Sequence, residues 1–279
     1  MKKIKSIFIF LMLFSVKGLS QPQSLNNQVR SRKGDLYFYW GWNWSWYSNS
    51  DIEYKGSGYD FKLYNVIAND RQTPFDWNTY FNPMRITIPQ YNFRLGYFLN
   101  NHYDISIGVD HMKYVVQQEQ MVKISGNISN TETQYDGSYS NDDILITEGF
   151  LKFEHTDGLN YVNFELRRYD QVIDWNKVKI GLTEGAGTGF LLPRTNTTLL
   201  NKQRYDEFHL AGYGISAVFG VNILIYKYFF IQSEVKGGFI HMPDIRTTMS
   251  ESDKASQHFF FGQANILFGA NFNLSRKNK

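Results

Sequence analysis

Cysteine is missing altogether, proline occurs only 6 times in 279 residues, and charged residues make up just 20% of the chain. The first absence excludes disulfides, thiolate metal sites, a cysteine nucleophile and a lipid-anchored start. Long apolar runs are missing too. The longest, Ile7 to Phe14, falls far short of the roughly 20 residues that a helix needs to cross a bilayer. Metal and phosphate motifs are equally scarce. There is no His-x-x-x-His pair and no twelve-residue calcium loop, and the Gly181, Gly185, Gly187, Gly189 series lacks the Lys-Ser/Thr of a phosphate loop. No metal and no cofactor is expected.

The apolar run that does exist reads as part of a signal peptide over residues 1–20. Lys2, Lys3 and Lys5 precede it, and Gly18-Leu19-Ser20 supplies small residues before Gln21. Removing Lys2, Lys3, Lys5 and Lys17 from the 29 basic residues leaves 25 against 26 acidic ones. A chain so close to neutral has no bulk charge for nucleic acid. Residues 21–33 read as a polar periplasmic lead, and 275–279 as a basic tail.

Aromatics are plentiful at 17%. Residues 34–47 put Leu36, Phe38, Trp40, Trp42, Trp44 and Trp46 on one face of a strand, and Tyr37, Tyr39, Gly41, Asn43 and Ser45 on the other. Four tryptophans along one face suit a strand whose outer side meets lipid. Eight segments with this alternation are expected to span, at about 34–47, 86–98, 103–115, 160–173, 177–190, 208–224, 228–241 and 258–274. Turns at 99–102, 174–176 and 225–227 are tight, whereas 48–85, 116–159, 191–206 and 242–257 are long. Strict short–long alternation is the pattern of periplasmic turns and outer loops, with both termini in the periplasm. Lipid cannot satisfy open backbone groups, so such a sheet must close on itself. The expected fold is an all-β, closed antiparallel transmembrane β-barrel of eight strands over 34–274. Counting 57–68 and 144–154 as spanning gives a ten-stranded alternative. Two loops carry hairpins of their own, Ile52 and Tyr54 against Phe61 and Leu63, and Val122 and Ile124 against Ile144 and Ile146.

The alternation, the turn spacing and the closing strand Phe259 to Leu274 together resemble the small, eight-stranded outer-membrane β-barrel families of Gram-negative bacteria. The aromatic, Asn-rich style is similar to that of Bacteroidetes proteins. One departure is that the last aromatic is Phe272, followed by a basic tail, where many such chains end on an aromatic. The resemblance implies lipopolysaccharide and outer-membrane lipid as surroundings. It admits lipid A-modifying enzymes, adhesins, tethers and narrow transporters of small apolar molecules alike.

Candidate sites follow from the faces. Arg94, Asp104, Asp110, Glu165, Arg167, Glu234 and Lys236, with Asp35 and Lys179, point inward and are expected to pair as a polar plug. A lipid hydrolase at the outer rim would need a serine, a histidine base and a carboxylate. His111, His155, Asp157 and Ser106 are the candidates, with Ser125 and Ser216 as further hydroxyls. Asp110 and His111 are neighbours and so face opposite ways. Phe75, Trp77, Tyr80 and Phe81 crowd one loop, where they either pack as a lid over the mouth or contact a glycan, lipid or protein. The leading functional expectation is a structural or surface-interaction barrel acting through large outer loops.

Overall fold

A computed structural model describes residues 31–202, 204–205 and 207–273. The expected targeting segment 1–20, residues 21–30 of the lead and the tail 275–279 lie outside the described residues.

Eight antiparallel strands form a ring: β1 (Asp35–Tyr47), β5 (Tyr91–Phe98), β6 (Tyr103–Val116), β9 (Leu151–Trp175), β10 (Val178–Leu191), β12 (Gly212–Ile225), β13 (Phe229–Arg246) and β14 (Lys254–Asn273). The first and last pair along their whole shared length, from Asp35↔Asn273 to Tyr47↔Phe261. The eight segments expected from the alternation are these eight strands, and the three tight turns join them at one end. There Asn176, Tyr226 and Lys227 take positive φ, the left-handed backbone that tight turns use.

The remaining strands belong to the long connections. β2 (Ser50–Gly56) and β3 (Tyr59–Val66) form the first hairpin, and β7 (Gln120–Ile128) and β8 (Gly137–Ile146) the second. They extend the sheet from the far end of β14 in the order β14-β2-β3-β7-β8. β4 (Ala68–Asn69) and β11 (Asn196–Leu199) add short pairings to β6 and β9. Neither β3 nor β8 joins the ring, and residues 151–154 belong to β9 rather than to a further spanning strand, so the ten-stranded alternative is not the arrangement seen. Their apolar faces are instead used within the extension. Ile52, Tyr54, Phe61, Leu63, Ile124, Ile146 and Phe153 are all buried in one apolar core there.

Strand faces divide as the alternation requires. Trp44 and Trp46 are exposed on the outside, Trp40 and Trp42 half-buried, and Tyr37 and Tyr39 buried within. Phe93, Leu95, Ile105, Ile107, Phe164, Leu166, Ile215, Phe219, Ile231, Ile266 and Phe268 continue the exposed apolar band around the ring. Three strands run several residues past their expected limits, and one of them, β14, begins at Lys254. β9 begins at Leu151, and β13 continues to Arg246 across an irregularity between Met242 and Ile245.

Candidate functional site

Inside the ring, six charged side chains form one connected network. Arg94 on β5 holds Glu165 at 2.9 Å, and Arg167, beside Glu165 on β9, reaches it at 2.5 Å and Glu234 on β13 at 2.5 Å. Lys236 on β13 bonds Glu165 at 2.6 Å and also pairs with Asp110 on β6. Three cations thus face three carboxylates, all six residues at most 3% exposed. Charges taken from water are tolerable only when paired and hydrogen-bonded, and here the remaining donors are used as well. Tyr39 Oη accepts from Arg94 Nε and Arg167 Nη2 at 2.9 Å each, while Arg94 donates to Ser106 Oγ at 3.1 Å and Asn163 Oδ1 at 2.6 Å. Asn163 in turn donates to Asp110 Oδ2 at 3.0 Å. Tyr39 and Asn163 were not singled out in the sequence. Their only signal is that they share the inward phase of their strands.

Asp104, Asp35 and Lys179 stand apart from the network. Tyr37 Oη donates to Asp104 at 2.7 Å, Asn273 Nδ2 donates to Asp35 at 2.7 Å, and Lys179 pairs with Asp174 at 2.9 Å beside a tight turn.

Aromatic side chains pack on either side of the network. On the turn side, Tyr37, Phe98, Tyr169 and Phe230 pack together, and the Arg32 guanidinium is held between the Phe98 and Tyr169 rings at 3.8 and 3.9 Å. A cavity of only about 20 Å³ remains there, room for about one water. On the loop side, Tyr47, Tyr114 and Phe259 stack in the apolar core.

β10 is shaped by this filling. A Cβ at Gly187 would lie 2.5 Å from both Glu165 Cγ and Phe164 O, and one at Gly185 would lie 2.8 Å from Arg167 Cγ. The glycines of β10 leave room for the long charged side chains of β9 to lie across them.

The rim candidates do not come together. Ser106 faces the interior, bound by Arg94. His155, near the loop-side start of β9 and before its expected spanning segment, is fully buried against Phe153 and Tyr114, its Nδ1 3.1 Å from Thr195 Oγ1, and burial pushes its pKa down to about 3. Asp157 pairs with Arg194 at 3.8 Å. Ser125 Oγ accepts from Asn141 N at 3.0 Å in the extension, and Ser216 faces the interior. Asp110 and His111 do point opposite ways. His111 lies on the outer wall, stacked on Tyr91 with centroids 4.8 Å apart. Its Nδ1 is 2.8 Å from Asn160 Oδ1, and with Asp157, Thr87 and Phe208 it lines a recess of about 430 Å³. Asn160, Thr87 and Phe208 carried no sequence signal. Among the described residues, no three His, Asp or Glu side chains gather as metal ligands.

The aromatic loop is not a lid. Its short helix α1 (Trp77–Phe81) is capped by Asp76, whose carboxylate accepts from Thr79 N at 2.8 Å. Those hydrogen bonds from Thr79 lower the Asp76 pKa. The loop packs on the outer wall instead, with Tyr80 and Phe81 5.6 and 5.5 Å from the outward-facing Trp42. The sequence showed a crowded aromatic loop but not that Trp42 offers it a ledge. Phe75, Trp77, Phe81 and Met84 remain exposed beside the apolar band.

No protein-family model matches the chain, and no curated protein does. Among solved structures it is similar to the outer membrane protein OprG of Pseudomonas aeruginosa, at 9% identity and a TM-score of 0.41 over 87% of this chain and 97% of that one. It is also similar to AlkL, an outer membrane protein solved in lipid bilayers, at 10% identity and a TM-score of 0.37 over 93% and 100% of the two chains. A third is Ail, the attachment invasion locus protein of Yersinia pestis, seen with the heparin analogue sucrose octasulfate, at 11% identity and a TM-score of 0.29 over 86% and 99%.

Proposed function

We propose that the chain is an integral protein of a Gram-negative outer membrane, with a filled barrel that anchors an extracellular sheet for contact with surface partners. The observation that carries this reading is its polarity: an exposed apolar band surrounds the ring, while six paired charges lie within it. In water the opposite arrangement is favoured, since exposed apolar area costs roughly 25 cal/mol per Å². In a bilayer it is the required one. The filled interior supports an anchoring role over a passage through the ring. The size of the β2-β3-β7-β8 extension supports contact with lipopolysaccharide, a glycan or a protein outside the cell.

Orientation is directly testable because the chain has no cysteine. Thr133→Cys at the tip of the second hairpin and Asn176→Cys in a tight turn each supply one thiol. In whole cells a membrane-impermeant maleimide is expected to label the first variant, and the second only after the outer membrane is permeabilised. The reverse pattern would invert the orientation. Recovery of the unlabelled chain from cells without detergent would overturn the membrane reading itself. In planar bilayers the purified protein is expected to show no stepwise conductance.

A further inference from the structure

We propose that the recess on the outer wall at His111 is a binding site for a single-chain amphiphile whose polar end carries a hydroxyl. This rests on the reading of the outer wall as the face turned to lipid.

The tautomer decides what the site can recognise. Asn160 Nδ2 donates to Leu192 O at 3.1 Å, which fixes the amide with its oxygen toward the imidazole. The neutral ring must therefore carry its proton on Nδ1 and donate it to Asn160 Oδ1. Nε2 is left with a lone pair, and among the described residues no hydrogen bond is made to it. His111 is only 7% exposed as a residue and lines the recess. Nε2 is therefore the imidazole acceptor that a donor seated in the recess can meet.

The ring position is also built for. Gly158 takes φ +121°, and a Cβ there would lie 2.7 Å from His111 Cε1. Any other residue would press on the imidazole.

The recess, about 430 Å³, has apolar walls from Val109, Val162 and Leu192. That size lies within the roughly 300–1,000 Å³ usual for small-molecule sites. An alkyl chain suits such walls, and its polar end must donate to Nε2. A phosphodiester or sulfate head offers acceptors only and so has no hydrogen to give Nε2. An alcohol donates.

The test uses the full chain in detergent micelles with ¹⁵N-labelled histidine. The probes are 1-dodecanol and dodecyl methyl ether, which differ in the single donor hydrogen. The His111 Nε2 resonance, assigned by its loss in His111→Gln, is expected to move saturably with the alcohol and to stay in place with the ether. Val162→Trp narrows the recess, and with the His111 Nδ1 resonance unmoved by the substitution it is expected to weaken the alcohol's effect at least tenfold. An equal response to both probes, a response that does not saturate, no response at all, or an unchanged response in Val162→Trp would each overturn the site. Flotation of the same preparation with lipid vesicles separates the two readings. A silent recess in a protein that floats counts against the site alone, whereas failure to float counts against the bilayer reading.

Discussion

Arg94 Nη2 lies 2.9 Å from Glu165 Oε1 inside the ring, with both side chains wholly screened from solvent. Each is also tied to a second group of opposite charge or to a neutral acceptor, so neither can be removed without stranding its partners. Glu165→Ala leaves three cations facing two carboxylates. It is expected to lower stability by about 3–5 kcal/mol, the usual cost of breaking a buried pair from one side. Arg94→Met with Glu165→Met removes one charge of each sign and is expected to recover most of that loss. Urea unfolding in lipid vesicles measures both. A single variant as stable as the parent would show that water reaches the network.

The glycines of β10 allow a sharper comparison. Gly187→Ala would push against the backbone oxygen of Phe164, 2.5 Å from the new methyl, as well as against Glu165. A loss of about 1–3 kcal/mol is expected from this overpacking. Ala186→Val, one residue away on the outer face, is expected to change stability by less than about 0.5 kcal/mol. Similar losses from the two substitutions would contradict the packing account.

His155 gives the loop-side end of β9 a pH dependence. Burial holds its folded pKa at about 3, below the ordinary 6.5. Above 6.5 the ring is neutral whether that end is folded or not. As pH falls from 6.5 toward 3, the unfolded segment binds a proton that the folded one refuses, and stability drops by up to about 1.4 kcal/mol per pH unit. Amide exchange in β9 and β11 is expected to quicken over that window in the parent chain and much less in His155→Leu. An unchanged profile in the variant would assign the effect to another group.

The ledge formed by Trp42 predicts where the aromatic loop sits. Trp77 is 71% exposed and stacks on Phe81, which itself packs on Trp42. In vesicles of the chain that keeps Trp42, the part of the emission that is lost in Trp77→Phe is expected to be quenched by lipids brominated near the headgroup. Quenching only by a water-soluble quencher would place the loop clear of the bilayer.

The ring was legible because its signal is local. A period of two survives wherever one face must be apolar and the other polar, so strands such as 103–116 and 212–225 stand out from their own residues. The alternation marks β9 only from about residue 160, whereas the strand begins nine residues earlier, at Leu151. In the fold, His155 turns into the apolar core and Gly158 passes through a positive φ without ending the strand. The inward charges were legible for the same reason as the strands, but their partners were not. Arg167 and Glu234 are 67 residues apart, and Lys236 and Asp110 are 126 apart, so only the register of distant strands brings them together. The rim candidates failed as a set because each was chosen by residue type, while the ring's curvature and the in–out parity separate Ser106 from His111. Asn160, which does orient His111, looks like any strand-end asparagine.

The seam between β1 and β14 joins residues 238 apart, as the Asp35–Asn273 hydrogen bond shows. The first strand therefore waits for the last, and nothing translated in between can supply its missing neighbour. A chain that stops short of residue 254 lacks β14 and leaves β1 and β13 each with an unpaired edge. Truncation late in the chain is therefore expected to cost the ring as much as truncation early in it.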